Sequence, residues 1–236
     1  RRRGFVPLLL LPGLLLAALD RFRYPASGHR PDLLWEGMCL ALSLLGLGVR
    51  VATVGFAPPG TSGRNRHAHV AAALNTTGMY SLVRHPLYLG NYLMWLGVAM
   101  LPRVWWAPVL VSLAFCLYYE RIMFAEEEFL RRKFGATFMA WAARTPAMIP
   151  RRRQWQPPSR AFSARTVLQR EYSGLLALVS SFTALELAGD FAYTGELALD
   201  PVWGVAFVAT ALVCAVLRGL KHGAPQAFPK TGDRHP

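Results

Sequence analysis

Several stretches of this chain stay apolar around the whole circumference of the helix they would form, which a soluble domain's helices, with their polar face of period 3.6, do not do. Six such candidate spans run from Phe5 to Leu19, Leu33 to Phe56, Leu87 to Leu101, Val104 to Phe124, Tyr172 to Gly189 and Val202 to Leu217. About 20 helical residues are needed to cross a hydrocarbon core of ~30 Å, so the first and third must borrow flanking residues, tilt, or sit where the bilayer thins. The expected fold is therefore all-α, a polytopic membrane protein of about six transmembrane helices. Pro102-Arg103 between the third and fourth spans leaves a two-residue turn and predicts a tight antiparallel hairpin.

Composition supports segregation of apolar from cationic residues: 53% of the chain is hydrophobic, yet 26 Lys and Arg stand against 13 Asp and Glu. A net charge of +13 suits nucleic acid or an anionic membrane surface. No nucleic-acid reader motif is present, and the basic residues lie beside apolar spans, so a bilayer with anionic headgroups is the expected partner. Cys39, Cys116 and Cys214 each fall within an apolar stretch, without ligand spacing, and read as buried free thiols. Arg1-Arg2-Arg3 before an apolar run resembles a signal peptide, but no small-residue cleavage site precedes Asp20, which favours a retained first span.

The positive-inside rule orients the spans. Between Glu120 and Arg170 lie eleven Lys or Arg, whereas the loop from Glu186 to Asp200 has four acids and none. The first segment is expected in the cytoplasm and the second outside. Counting spans from these anchors places both termini and the loop from Ala57 to Pro86 inside, with only Arg21, Arg23 and Arg30 arguing the other way.

Two polar constellations interrupt this pattern, and both are expected at the cytoplasmic face. The first is Gly78-Met79-Tyr80-Ser81-Leu82-Val83-Arg84-His85-Pro86-Leu87-Tyr88-Leu89-Gly90-Asn91. Pro86 suits the first turn of a helix, because its missing N–H would be unpaired there anyway. His85 then stands at a helix entrance able to hold an anion, although Arg84, His85 and the tyrosines also suit an interfacial belt. The second runs from Glu120 to Gly135. Glu127 and Glu128 have Arg131 and Arg132 one turn away and read as surface pairs. Glu126 has Ile122, Met123, Phe129 and Leu130 at that spacing, so its carboxylate is costly near lipid unless it meets a cation or donor.

Together, Arg84-His85-Pro86-x-Tyr88-x-Gly90, Glu126-Glu127-x-x-Leu130-x-x-x-Phe134-Gly135 and Arg144-x-Pro146-x-x-x-Pro150 resemble the isoprenylcysteine carboxyl methyltransferase family and its prokaryotic relatives. The resemblance covers about Leu74 to Pro150. It divides the chain into residues 1–73 with the N-terminal spans, a core region at 74–150, and a basic linker with a C-terminal hairpin at 151–236. It implies methyl transfer from S-adenosylmethionine, held in a cytoplasm-facing pocket, to a lipid or lipidated acceptor. Carried over by position, it places Tyr80, His85, Tyr88 and Glu126 at the S-adenosylmethionine site, with Leu74 and Asn75 lining it; Arg84 of the first motif and Arg121, upstream of the second, are the candidate catalytic residues.

The chain also departs from that pattern. Phe138 and Trp141 stand where the family often has tyrosines. Many eukaryotic members carry a substrate-binding arginine where this chain has Ile122, and the adjacent Arg121 is rotated by about 100° around the helix. Recognition of the acceptor is expected to differ accordingly.

Methyl transfer from a sulfonium is an in-line displacement that needs alignment and exclusion of water more than acid–base machinery, which suits a chain without a Ser-His-Asp set, a zinc cluster or a phosphate loop. His67, His69 and His85 read as loop residues rather than metal ligands, and no metal is expected. Sterol-type nicotinamide-dependent reductases share an Arg-His-Pro-x-Tyr segment, but commonly with Asn before the Tyr and an acid after the Gly, where this chain has Leu87 and Asn91. A third class is a non-enzymatic scaffold or transporter using His85 and Glu126 along an ion path. Carboxylate and phosphate oxygens are the favoured acceptor atoms.

Overall fold

The computed structural model describes residues 12–16, 29–57, 73–197 and 199–223. All regular structure among them is helical. A helical turn at residues 12–16 is followed by α1 (His29–Phe56), the single turn α2 (Met79–Leu82), α3 (Pro86–Met100), α4 (Trp106–Phe134), α5 (Ala136–Arg144), a 3-10 turn at Arg152–Gln154, α6 (Ala164–Thr194) and α7 (Pro201–Gly223). Among the described residues four helices are long and apolar enough to cross a membrane, within Leu33–Phe56, Trp106–Phe134, Ala164–Thr194 and Pro201–Gly219. The third expected span is α3, only 15 residues long. The first expected span lies mostly outside the described residues, as do His67 and His69.

Each boundary has a local cause. Pro86 sits in the first turn of α3, where it costs no hydrogen bond. The connection from α3 to α4 is longer than the expected two-residue turn, because α3 ends at Met100 and α4 begins at Trp106. Pro102 stops the helix and Arg103 reverses the chain at φ 58°, a left-handed conformation that disfavours a side chain with a Cβ. The hairpin is still antiparallel: the Tyr92 and Ser112 hydroxyls share a hydrogen bond, Asn91 reaches Tyr119, and Tyr88 reaches Glu126, in descending and ascending order. Gly135 both ends α4 and begins α5 at φ 50°, where glycine carries no Cβ penalty.

Packing is tightest where α3 crosses α1. A Cβ on Gly46 would lie 2.5 Å from the Gly90 carbonyl oxygen, and one on Gly97 would overlap Ser43 Oγ and the Cys39 carbonyl. Close backbone approach at small residues is how helices associate in lipid, where exclusion of water supplies little driving force. Ser43 Oγ donates to the Met94 carbonyl at 2.9 Å and Trp35 Nε1 to that of Met100 at 3.1 Å, so the same interface is hydrogen-bonded at two levels.

Val98, Leu101, Val111, Leu178, Phe182 and Leu185 form the apolar core at the α3 C-terminal end of the bundle. Outward faces, such as Leu117 and Phe124 of α4 and Val205 and Leu212 of α7, are exposed and apolar, as lipid-facing surfaces are. Cys39 and Cys214 are buried free thiols; Cys116, expected to be buried, instead lies on the exposed apolar face of α4.

Two measurements test this arrangement. Gly97→Leu is expected to destabilise the protein by about 1–3 kcal/mol or prevent its folding, through overpacking against Ser43 and Cys39; unaltered thermal unfolding in detergent would contradict the close α1–α3 crossing. Reporters fused after Arg153 and inserted near Gly195 are expected on opposite sides of the membrane, because α6 joins them; the same side for both would remove α6 as a span.

Candidate functional site

The site forms where α3 begins and α4 approaches its end. A rise of 1.5 Å per residue makes the 29 residues of α4 about 43 Å long, more than the ~30 Å hydrocarbon core. If the helix enters the apolar layer near Trp106, the layer is spent after about 20 residues, near Ala125, and Glu126, Glu127 and Glu128 follow at headgroup depth.

There the two constellations meet. The Tyr88 hydroxyl donates to Glu126 Oε2 at 3.0 Å. His85 Nε2 lies 2.8 Å from Glu127 Oε1, and since a carboxylate only accepts, Nε2 carries the proton. His85 Nδ1 faces Glu126 Oε2 at 3.9 Å, outside hydrogen-bond range. The His85 and Tyr88 rings stack with centroids 5.6 Å apart. His85 is buried, whereas 38% of the Glu126 side chain is exposed and its Oε1 has no hydrogen bond among the described residues. One carboxylate oxygen is thus fixed by a phenol, and the other has no hydrogen bond among the described residues.

Glu127 is the residue that sequence spacing misplaced. It was expected to pair with Arg131 on the surface; instead its Oε1 accepts from His85 Nε2 and forms an ion pair with Arg84, whose Nε lies 2.9 Å away but is not aligned for a hydrogen bond. Arg131 and Arg132 both pair with Glu128, at 3.6 and 2.9 Å, as surface residues. The i, i+4 rule reads along one helix, and a half-buried carboxylate facing a guanidinium and an imidazole N–H from another element gains more than an exposed pair does.

Arg84 also donates from Nη1 to the Ala142 carbonyl at 2.8 Å. The backbone N–H groups of Arg84 and His85 donate to the carbonyls of Pro146 and Ala147 at 2.8 and 3.2 Å, and Arg151 N–H donates to the Leu82 carbonyl. The Arg144-x-Pro146 segment is therefore a backbone cradle for Arg84-His85. Beneath it, Trp141 Nε1 donates to the Tyr80 carbonyl at 3.1 Å, and Phe138 and Trp141 pack edge to face, so the aromatic rings serve packing where the expected phenols are missing. Desolvation, together with the Glu126 carboxylate, pushes the Tyr80 phenol above its ordinary value, so it remains protonated.

Of the other candidates, Asn75 Oδ1 accepts from Thr77 N–H at 3.3 Å and shapes the turn into Gly78, and Leu74 is half-buried beside it. Arg121 is exposed on α4 and makes no ion pair or hydrogen bond with these groups. A recess of about 150 Å³ lined by Thr76, Ser81, Trp141, Arg144, Thr145, Gln154 and Gln156 opens beside Tyr80. A larger one of about 380 Å³, between the end of α1 and the start of α6, contains none of the residues singled out above. Neither is lined by His85, Tyr88 or Glu126. Among the described residues no three His, Cys, Asp or Glu side chains are placed to hold a metal ion.

The sequence pattern of the phospholipid methyltransferase family matches residues 38–137, which include both constellations. A cobalt-zinc-cadmium resistance protein, CzcN, of Cupriavidus metallidurans is 34% identical over 166 residues, 66% of this chain and 74% of that protein. The chain belongs to this methyltransferase family. A nickel-cobalt-cadmium resistance protein, NccN, of Alcaligenes xylosoxydans xylosoxydans is 35% identical over 130 residues, 53% of this chain and 57% of the relative. The protein-S-isoprenylcysteine O-methyltransferase of Schizosaccharomyces pombe is 32% identical over 77 residues, 33% of each chain. No solved structure matches. With four long apolar helices and this membership, the chain is an integral membrane protein of a methyltransferase family.

The contrast between adjacent glutamates can be measured. Glu127→Gln leaves Arg84 and His85 without their carboxylate and is expected to cost about 1.5–3 kcal/mol of stability, whereas Glu128→Gln changes an exposed pair and is expected to cost under about 0.5 kcal/mol. Equal unfolding temperatures for the two variants in detergent would contradict the pairing of Glu127.

Proposed function

We propose that this chain transfers a methyl group from S-adenosylmethionine to a lipid or lipidated acceptor at the cytoplasmic surface of a membrane. The observation that carries the reading is the partly exposed Glu126 near the end of α4, with one carboxylate oxygen fixed by Tyr88 and the other without a hydrogen bond among the described residues. The donor set suits a cationic ligand rich in O–H and N–H groups. S-adenosylmethionine, when bound, supplies an electrophilic methyl on a sulfonium.

In this reading Glu126 Oε1 accepts from the ribose hydroxyls or the amino group, and Tyr88 holds that carboxylate in place. His85, anchored through Nε2 to Glu127, presents its ring and Nδ1 to the same space, and the protonated Tyr80 supplies a phenol beside it. Leu74 and Asn75 line the approach. Arg84 acts through Glu127 and the Pro146–Ala147 cradle and is a positioning residue, while Arg121, exposed on α4, is available to an anionic headgroup. Residues 74–150 then carry the chemistry, flanked by the helices of 1–73 and 151–236. An acceptor that is already an anion, a carboxylate or phosphate oxygen, needs no base, which agrees with a site whose polar groups bind and orient. The basic stretch from Arg121 to Arg170 supports the cytoplasmic placement.

Metal resistance, named in two of the relatives, is a second reading favoured by their 34% and 35% identity. It is compatible with the first if methylation alters the membrane rather than the ion, and growth of cells with and without the chain in cadmium or cobalt tests it.

The test of the principal reading is direct. Calorimetry of the purified protein is expected to register S-adenosylmethionine, and lipid extract incubated with it and isotopically labelled donor is expected to acquire the label. Glu126→Gln keeps the shape but removes a charge-assisted bond, so an affinity loss of about ten- to a hundredfold is expected. Absence of donor binding by the folded wild-type chain would overturn the reading.

A further inference from the structure

Arg50 of α1 and Glu171 of α6 form a pair buried inside the helix bundle, 121 positions apart in sequence. Arg50 Nε and Nη2 donate to the two carboxylate oxygens of Glu171 at 2.7 and 2.8 Å, and Nη1 donates to Asn91 Oδ1 at 2.7 Å. Both side chains are largely shielded, at 15% and 6% exposure. Glu171 lies outside the region matching the methyltransferase family, whereas Arg50 and Asn91 lie within it.

The consequences propagate through one amide. With Oδ1 taken by a guanidinium, which can only donate, the Asn91 NH₂ must face the other way, and it donates to the Tyr119 hydroxyl at 3.3 Å. Tyr119 is held between two rings, Phe115 at 4.1 Å and Tyr88 at 4.9 Å between centroids. Tyr88 in turn donates to Glu126. Gly90 makes room for this route, since a Cβ there would lie 2.5 Å from Arg50 Cγ. A pair that only tied α1 to α6 would need neither the third guanidinium bond nor the oriented amide.

We propose that the Arg50–Glu171 pair is a positioning device through which α6 holds Tyr88 against Glu126, by way of Asn91 and Tyr119. This rests on the donor-binding reading above. Loss of the pair frees the Asn91 amide to turn over, and the Tyr88 ring loses its backing.

The test uses the full chain in detergent, with Arg50→Met and Glu171→Leu combined, because an apolar pair of similar volume commonly preserves folding where a single replacement strands a charge. Donor affinity per folded molecule is expected to fall about five- to tenfold, within the coupling range for members of one network. In the absence of donor, the fluorine NMR line of 3-fluorotyrosine placed at position 88 is expected to shift or broaden. In a Tyr88→Phe background the combined replacement is expected to add no further loss of affinity. A folded double variant with wild-type affinity and an unmoved line overturns the proposal, as do losses that multiply independently. Should the double variant not fold, Asn91→Leu, which leaves the ion pair intact, is held to the same outcomes. If the wild-type chain binds no donor, the methyl-transfer reading falls, and the fluorine line alone decides whether α6 positions Tyr88.

Discussion

The close crossing of α1 and α3 is the contact on which the polar end of the molecule depends. In a lipid environment two apolar helices have little reason to prefer each other over acyl chains, so association relies on dispersion contacts and hydrogen bonds made at short range. Gly46, Gly90 and Gly97 allow that range. The same absence of side chain at Gly90 admits the stem of Arg50 across α3, so one residue serves both helix packing and the charged network. A motif glycine that looks like a helix weakness in isolation is here a passage for a cation.

The three motif segments become one object in the fold. Arg84-His85-Pro86 starts a helix, Glu126-Glu127 lies on the antiparallel neighbour, and the stretch after Arg144 returns to supply carbonyl groups to the backbone of the first. Pro146 and Pro150 keep that return segment outside any helix, so its carbonyls are free to accept. The family match covers the first two of these segments, and the contacts join all three.

Much of this was legible from local patterns. All-round apolarity marks the long helices, Pro86 marks the start of α3, and the apolar surroundings of Glu126 single it out before any partner is visible. What escaped were facts of tertiary contact. Glu127 has a plausible cation one turn away, and nothing along α4 reveals that His85 and Arg84 claim it first. Arg50 and Glu171 give a weaker sign, a charge within one apolar stretch and another at the edge of a second, but which charge meets which depends on helix order. Arg103 could not be foreseen as the turning residue, because a non-glycine at positive φ is imposed by the hairpin rather than by its own preference. The exposed Cys116 shows the limit of equating apolar with buried: where the solvent is lipid, half of an apolar helix faces outward.

The unequal lengths of α3 and α4 have a consequence for any acceptor with an acyl or prenyl tail. If α4 enters the apolar layer near Trp106, the start of the 15-residue helix, beside Glu126 of the 29-residue helix, falls at the depth of the headgroups. Lifting a lipid out of its leaflet costs about 0.8 kcal/mol per CH₂ withdrawn, so extraction into a water-facing pocket would consume most of the binding energy such a ligand can offer. A reacting group approached sideways, with its tail left in the leaflet, avoids that cost, and tail length then has little influence on which lipids can reach the site.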